Sequence, residues 1–247
     1  MTISSVNPSQ ISHETLLGKL IRLPFKLLPA GAIVRVLRGP ARGKRWVADS
    51  STHGFWLGYW EPDNQLRFAE SLRPGDVVYD IGAHVGLYTL LSSSRVGPEG
   101  HVYAFEPFPR NAGYLRRHIE LNRLVNCTAV EAAVTDSAGW RHFDPTSHDS
   151  AGHLSESGPV TVKALSLDEY VFDSPKGRPP NAIKINAEGA EVEVLIGGLR
   201  TVAAFSPRIF LSTHSEAVDR QCCELLRSAG YSLERLGADK IWAEKKS

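Results

Sequence analysis

The segment Asp80-Ile-Gly-Ala-His-Val-Gly86 sets two glycines and a leading carboxylate between an apolar strand pattern, DVVYDI, and a helical one, VGLYTLLSSSRV. Glycine at such a corner lets the chain turn tightly and come close to a ligand without a Cβ clash. The helix that follows offers free N–H groups to a polar or anionic group. About twenty residues further on, a second strand pattern, HVYAFE, ends in Glu106. A carboxylate at that tip can accept both hydroxyls of a ribose, so loop and acid together mark an adenosine-type nucleoside site at the carboxyl edge of a sheet. A dinucleotide loop needs a second glycine two residues after the first, where the backbone touches the pyrophosphate. Here that position is His84, which argues against a nicotinamide cofactor and for a ligand without phosphates. Asp80 would then hold water or an amino group.

Acid–base chemistry has its own candidates. His214 closes the apolar strand pattern PRIFLST, and a neutral imidazole is available near pH 7 to take a proton. Glu188 and Glu191 open the helical stretch after Asn186, where the helix dipole favours their charge. For Glu191 that structural service is sufficient explanation; Glu188 divides between capping and polarity toward a bound cofactor. His142, His148 and His153 share a segment with Asp144 and Asp149, but their spacing matches no metal-ligand pattern, so no metal is expected. His53, beside the aromatic run GFWLGYW, is a candidate for lining an acceptor pocket. Cys127, Cys222 and Cys223 have neither zinc spacing nor the number for a disulfide scaffold, which fits a reducing, cytoplasmic setting.

These residues need elements to position them. From Pro74 to the C-terminus, strand and helix patterns alternate: DVVYDI, HVYAFE, CTAVEAAV, NAIKIN and PRIFLST are strands, separated mostly by helical stretches. That alternation predicts a mostly parallel sheet with helices on both faces. YSLERL and KIWAEK read as a closing antiparallel pair, and residues 136–159 as a loop over the site or a small β excursion. Ahead of this core, residues 1–72 read as an appendage. It comprises short helical pieces over 13–28 limited by Pro24 and Pro29, a hairpin over 32–48, the aromatic run, and a helix entered through Pro62. The expected division is an appendage over 1–72 and a nucleoside-binding domain over 73–247.

The 247 residues, 42% hydrophobic and 22% charged, are those of a globular chain, and no apolar run is long enough for a membrane span. The net charge of +1 hides an asymmetry: the first fifty residues hold eight Lys or Arg against Glu14 and Asp49, leaving −5 on the rest. Residues 13–28 can pack on the domain or associate weakly with a membrane surface. A basic front end also admits an RNA or protein substrate, though no aromatic RNA-reading motif or long basic stripe accompanies it.

Taken together, RPGDVVYDIGAHVGLYTLL, VYAFEPFPRN, AAVTDSAG and IKINAEGAEVEVLIGG, in that order over roughly residues 73–214, resemble the FkbM-type family of class I S-adenosylmethionine-dependent methyltransferases. The resemblance implies a Rossmann-like α/β fold, mostly parallel with an antiparallel C-terminal strand. It also implies S-adenosylmethionine as cofactor and O-methylation of a small molecule, natural product or glycan. It carries cofactor binding onto Asp80, Gly82, Ala83, His84, Gly86, Glu106, Pro107 and Asn186, and directs the search for catalytic residues to His214, Asn186 and Glu188. In two places the chain departs from the family pattern. Asn186 stands where the family usually has Asp, and Ser212 where it tends to have Glu. Both changes remove a carboxylate close to where methyl donor and acceptor should meet, and Asn can hydrogen-bond but not ionise. The alternative expectation is therefore an impaired or non-catalytic S-adenosylmethionine-binding protein.

Overall fold

The computed structural model describes residues 28–145, 152–175 and 177–245. Of the helical pieces expected over 13–28, residues 13–27 lie outside the described residues, as does His148. The chain opens with a hairpin of β1 (Ile33–Arg35) and β2 (Arg45–Val47), then a single helical turn α1 (Gly54–Leu57) and α2 (Pro62–Ser71). Pro62 stands in the first turn of α2, where its missing N–H costs nothing. The alternating part follows: β3 (Val77–Ile81), α3 (Leu87–Val96), β4 (His101–Phe105), α4 (Pro109–Leu121), β5 (Cys127–Val130), β6 (Ala133–Thr135), β7 (Gly139–Pro145), β8 (Gly152–Leu154) and β9 (Val160–Ser166). A π-helical turn at Glu169–Asp173 leads into β10 (Ala182–Ile185), α5 (Glu191–Ile196), α6 (Leu199–Phe205), β11 (Arg208–Ser212), α7 (Glu216–Ser228), β12 (Ser232–Arg235) and β13 (Lys240–Glu244). Among the described residues no helix is long and apolar enough to cross a membrane.

Seven strands form one sheet in the order β12-β13-β11-β10-β3-β4-β5. All pairings from β11 through β5 are parallel, while β13 runs antiparallel to both of its neighbours. The expected mostly parallel α/β sheet with an antiparallel C-terminal strand is therefore what the chain adopts. The strand order reverses between β3 and β10, and open α/β sheets bind ligands at the carboxyl ends beside such a reversal.

Strand side chains alternate between faces, and the core divides accordingly. Val77, Tyr79, Ile81, Ile183, Ile185, Ile209 and Leu211 pack with residues of α5, α6 and α7. Val78, Ala182, Phe210 and Trp242 pack on the other face with α2, α3 and the hairpin residues Val36 and Trp46. The register puts Asp80, Lys184 and Phe210 side by side on that second face. Polar groups there emerge from the apolar layer toward the carboxyl edge.

Two strand assignments need correction. CTAVEAAV is not one strand: the chain turns at Glu131 and Ala132, where Ala132 N–H bonds Val130 O, and β6 leaves the main sheet. β6 joins β9, β7 and β8 in a separate four-stranded sheet, so the segment after Asp136 is a β excursion. β9 was missed although VTVKALS alternates; its buried positions Val162, Ala164 and Ser166 face the core of the small sheet.

Candidate active site

The cleft at the carboxyl edge is walled by three parts of the chain. The glycine loop and strand tips supply Gly82, Ala83, His84, Glu106, Pro107, Lys184, Asn186, Glu188 and Ser212. The appendage adds Phe55, Trp60 and Glu61, and the small sheet adds Phe143, Gly152, His153 and Leu154. It holds about 1130 Å³ of empty space, counting the part open to solvent.

Glu106 is buried at the tip of β4. One carboxylate oxygen accepts the His84 N–H at 2.8 Å and the other the Phe108 N–H at 3.0 Å. Burial pushes its pKa up to about 7; the two N–H donors and the Lys184 charge pull the other way but do not overcome it. Each oxygen keeps lone pairs for further donors, and the group lines the cleft.

The glycines make the tight turn expected of them, and neighbouring protein also needs their missing side chains. Gly82 has φ +69°, and a Cβ there would come within 1.9 Å of the Asn186 carbonyl oxygen. Gly86 has φ +100°, and its Cβ would meet the Leu115 side chain at 2.7 Å. The space their side chains would take is filled by neighbouring protein, so the approach of Asn186 and of Leu115 in α4 requires glycine in addition to the positive φ. Asp80 is also turned inward. It is fully buried, 3.2 Å from Lys184 Nζ, and accepts the Thr89 hydroxyl at 2.7 Å. Its carboxylate supports Lys184, whose ammonium also donates to the Gly82 carbonyl at 2.6 Å and does line the cleft.

His84 adopts φ +53°. Its Nε2 is buried without a hydrogen-bond partner among the described residues, and burial holds its pKa down near 3, so the ring is neutral. Glu61, His84 and Glu188 are three of the five non-glycine residues with positive φ among the described residues, and all three line the cleft. Such conformations cost of order 1–3 kcal/mol each and persist where the surroundings over-determine them, as at functional sites.

His214 stands just behind the cleft. Its Nδ1 is 2.8 Å from the fully buried Glu191, and its Nε2 is 3.3 Å from Glu188. The hydrogen bond to Glu191 raises its pKa, against the opposing effect of burial. Glu188, not the imidazole, is the group of this trio that lines the cleft. Glu191 also accepts the N–H groups of Ala187 and Gly189, which is the capping service expected of it. The helix begins only at Glu191, because Glu188 and Gly189 both have positive φ. His53 is engaged with the Trp56 indole and is absent from the cleft wall, whereas His153 belongs to it. Among the described residues no three His, Cys, Asp or Glu side chains converge to hold a metal ion. Lys184 and Glu61 were missed from sequence, Lys184 because it lay in a strand pattern read as apolar and Glu61 because it only borders the aromatic run, while Trp60 belongs to that run but carried no readable code of its own.

The sequence profile of the FkbM methyltransferase domain matches residues 80–233. The chain belongs to this methyltransferase family. It is 26% identical to the hexuronic acid methyltransferase AglP of Haloferax volcanii over 167 residues, 67% of each chain. It is 41% identical over 78 residues to the 31-O-demethyl-FK506 methyltransferase FkbM of Streptomyces tacrolimicus, a match covering 32% of this chain and only 29% of that relative. Among solved structures, the S-adenosylmethionine-dependent O-methyltransferase of Thermotoga maritima matches in fold. Its TM-score is 0.50 over 88% of this chain and 78% of that one, at 12% identity. S-adenosylmethionine is thus the cofactor of this FkbM-family methyltransferase, and the site fits it. Glu106 presents an acceptor-only carboxylate suited to a ribose diol, and the orphaned His84 Nε2 in the cleft wall fits a polar ligand atom.

Proposed function

We propose that this methyltransferase acts on a hydroxyl oxygen of a small molecule or glycan, with Glu188 receiving the proton and His214 orienting it. The observation that carries the reading is the array Glu188–His214–Glu191 beside a cleft floor whose Asn186 and Ser212 cannot ionise. Bound S-adenosylmethionine would supply a methyl group on a sulfonium, whose leaving group is a neutral thioether. Most of the protein's contribution to such an in-line displacement is positioning. Glu106 would hold its ribose end, and Lys184, braced by Asp80, fixes the glycine loop by donating to the Ile81 and Gly82 carbonyls. The acceptor O–H meets Glu188 at the cleft wall. Its proton passes to the Glu188 carboxylate, while His214, held by Glu191, orients that carboxylate and stabilises its charge until the proton is taken up. The named activity of FkbM, on 31-O-demethyl-FK506, supports an oxygen acceptor, and that of AglP, on a hexuronic acid, supports a sugar-derived one.

The test is methyl transfer from labelled S-adenosylmethionine to a panel of alcohols, phenols and glycosides, with Glu188→Gln and His214→Asn beside the wild type. Product ethers that vanish in Glu188→Gln while S-adenosylhomocysteine binding persists support the reading. Binding without turnover on any acceptor, with turnover appearing in Asn186→Asp, would instead establish the impaired-site alternative that Asn186 and Ser212 suggest.

A further inference from the structure

Four rings form a near-parallel stack running from the interior to the cleft. His118 and Trp46 lie 4.1 Å apart at 19°, Trp46 and Phe55 6.0 Å apart at 20°, and Phe55 and Trp60 4.8 Å apart at 16°. Exposure rises along it, from 0% at His118 and Trp46 through 7% at Phe55 to 42% at Trp60. The base of the stack is fixed: His118 Nε2 accepts the Val47 N–H at 2.9 Å, and Nδ1 donates to the Val85 carbonyl at 2.7 Å. Trp60 is therefore held from behind, lines the cleft, and has no ring neighbour on its outer face among the described residues.

Glu61 follows directly, in the left-handed conformation (φ 41°, ψ 52°). Its Oε1 lies 3.1 Å from the buried Lys240 ammonium, and Oε2 accepts the Tyr88 hydroxyl at 3.3 Å. Lys240 is the register partner of Ser212 across β11 and β13. A carboxylate from the appendage thus pairs with the lysine that stands opposite Ser212.

We propose that Trp60 and Glu61 form a subsite for a pyranose ring, which rests on the hydroxyl-methylation reading above and narrows its acceptor to a sugar. A rigid indole beside an acceptor-only carboxylate matches a pyranose, whose C–H face is apolar and whose vicinal hydroxyls are paired donors. A flat aromatic acceptor needs only the ring. Lys240 and Tyr88 each engage one oxygen of the carboxylate, which fixes it in the cleft wall with acceptor capacity left on both oxygens.

The test is saturation-transfer NMR on the full chain with S-adenosylhomocysteine bound, using methyl β-glucopyranoside, methyl β-galactopyranoside, methyl β-glucuronoside and catechol as probes. At least one pyranoside is expected to give ring C–H enhancements that fall about tenfold or more in Trp60→Ala, persist in Trp60→Phe, and weaken in Glu61→Gln. An unchanged cooperative melting transition in these variants serves as the folding control. Pyranoside binding unchanged in Trp60→Ala, or catechol bound in place of every pyranoside, overturns the subsite. Ether products from non-sugar alcohols alone overturn it too, yet leave hydroxyl methylation standing, whereas a wild type that transfers methyl to no oxygen acceptor sinks the reading beneath it.

Discussion

The pKa of about 7 at Glu106 makes cofactor affinity a function of pH, and the size of the effect follows from its burial. A ribose diol donates two hydroxyl protons, so the binding-competent carboxylate is the ionised one. With a pKa of about 7, roughly one Glu106 in eleven is ionised at pH 6 and ten in eleven at pH 8, and apparent affinity scales with that fraction. S-adenosylhomocysteine should therefore bind about tenfold more weakly at pH 6 than at pH 8, a difference of about 1.4 kcal/mol. At pH 7 binding should release about half a proton. Stability without ligand has the opposite slope. Because the folded pKa lies above the ordinary value of 4.5, the folded state prefers the protonated acid. That contribution is complete below pH 4.5 and is lost as pH rises toward 7, by about 3 kcal/mol. Glu106→Gln should flatten both slopes and, by losing charge-assisted hydrogen bonds to the ribose, bind about 10- to 100-fold more weakly at pH 8. Titration calorimetry at pH 6, 7 and 8 in two buffers of different ionisation enthalpy measures affinity and proton release together. A wild-type Kd constant within twofold across that range, or an equal slope in Glu106→Gln, would refute the reasoning.

Other perturbations have defined outcomes. Lys184→Met leaves Asp80 charged, buried and without its cation; breaking such a pair costs about 3–5 kcal/mol, read as a fall in the urea midpoint at unchanged slope. Gly82→Ala drives a Cβ into the Asn186 carbonyl from a positive-φ backbone, so soluble yield and cooperative melting should be lost, whereas Gly113→Ala, with open space around it, should be tolerated. His118→Phe keeps a ring but removes both hydrogen bonds that tie the hairpin to the glycine loop. It should cost about 2–4 kcal/mol and speed proteolysis within residues 35–60, and unchanged proteolysis would contradict the tie. The raised His214 pKa means that its imidazolium–Glu191 pairing stabilises the fold fully below pH 6.5 and fades as pH climbs through the folded value. NMR titration of the ring should place its midpoint above 6.5, and Glu191→Gln should bring it down.

The sequence by itself determined the sheet and the cofactor edge. Short apolar runs alternating with amphipathic helices admit few arrangements, and a carboxylate at the end of HVYAFE after a glycine corner is local information. It also named His214 and Glu188 as candidates and assigned Glu191 a helix-end service, since each sits at the end or start of an element. What it could not assign is which neighbour each group faces. Asp80 turned inward because strand register set Lys184 beside it, and the two glycines serve backbone approaches to Asn186 and Leu115 from segments far along the chain. His214 lies behind Glu188 because positive φ at Glu188 and Gly189 delays the helix and brings Glu191 under the imidazole. Trp60 and Glu61 became visible only through packing. Their positions depend on a ring stack anchored by His118 and on a lysine nearly two hundred residues away. Local pattern records the period of burial, whereas contact between distant segments is decided by how the faces are filled.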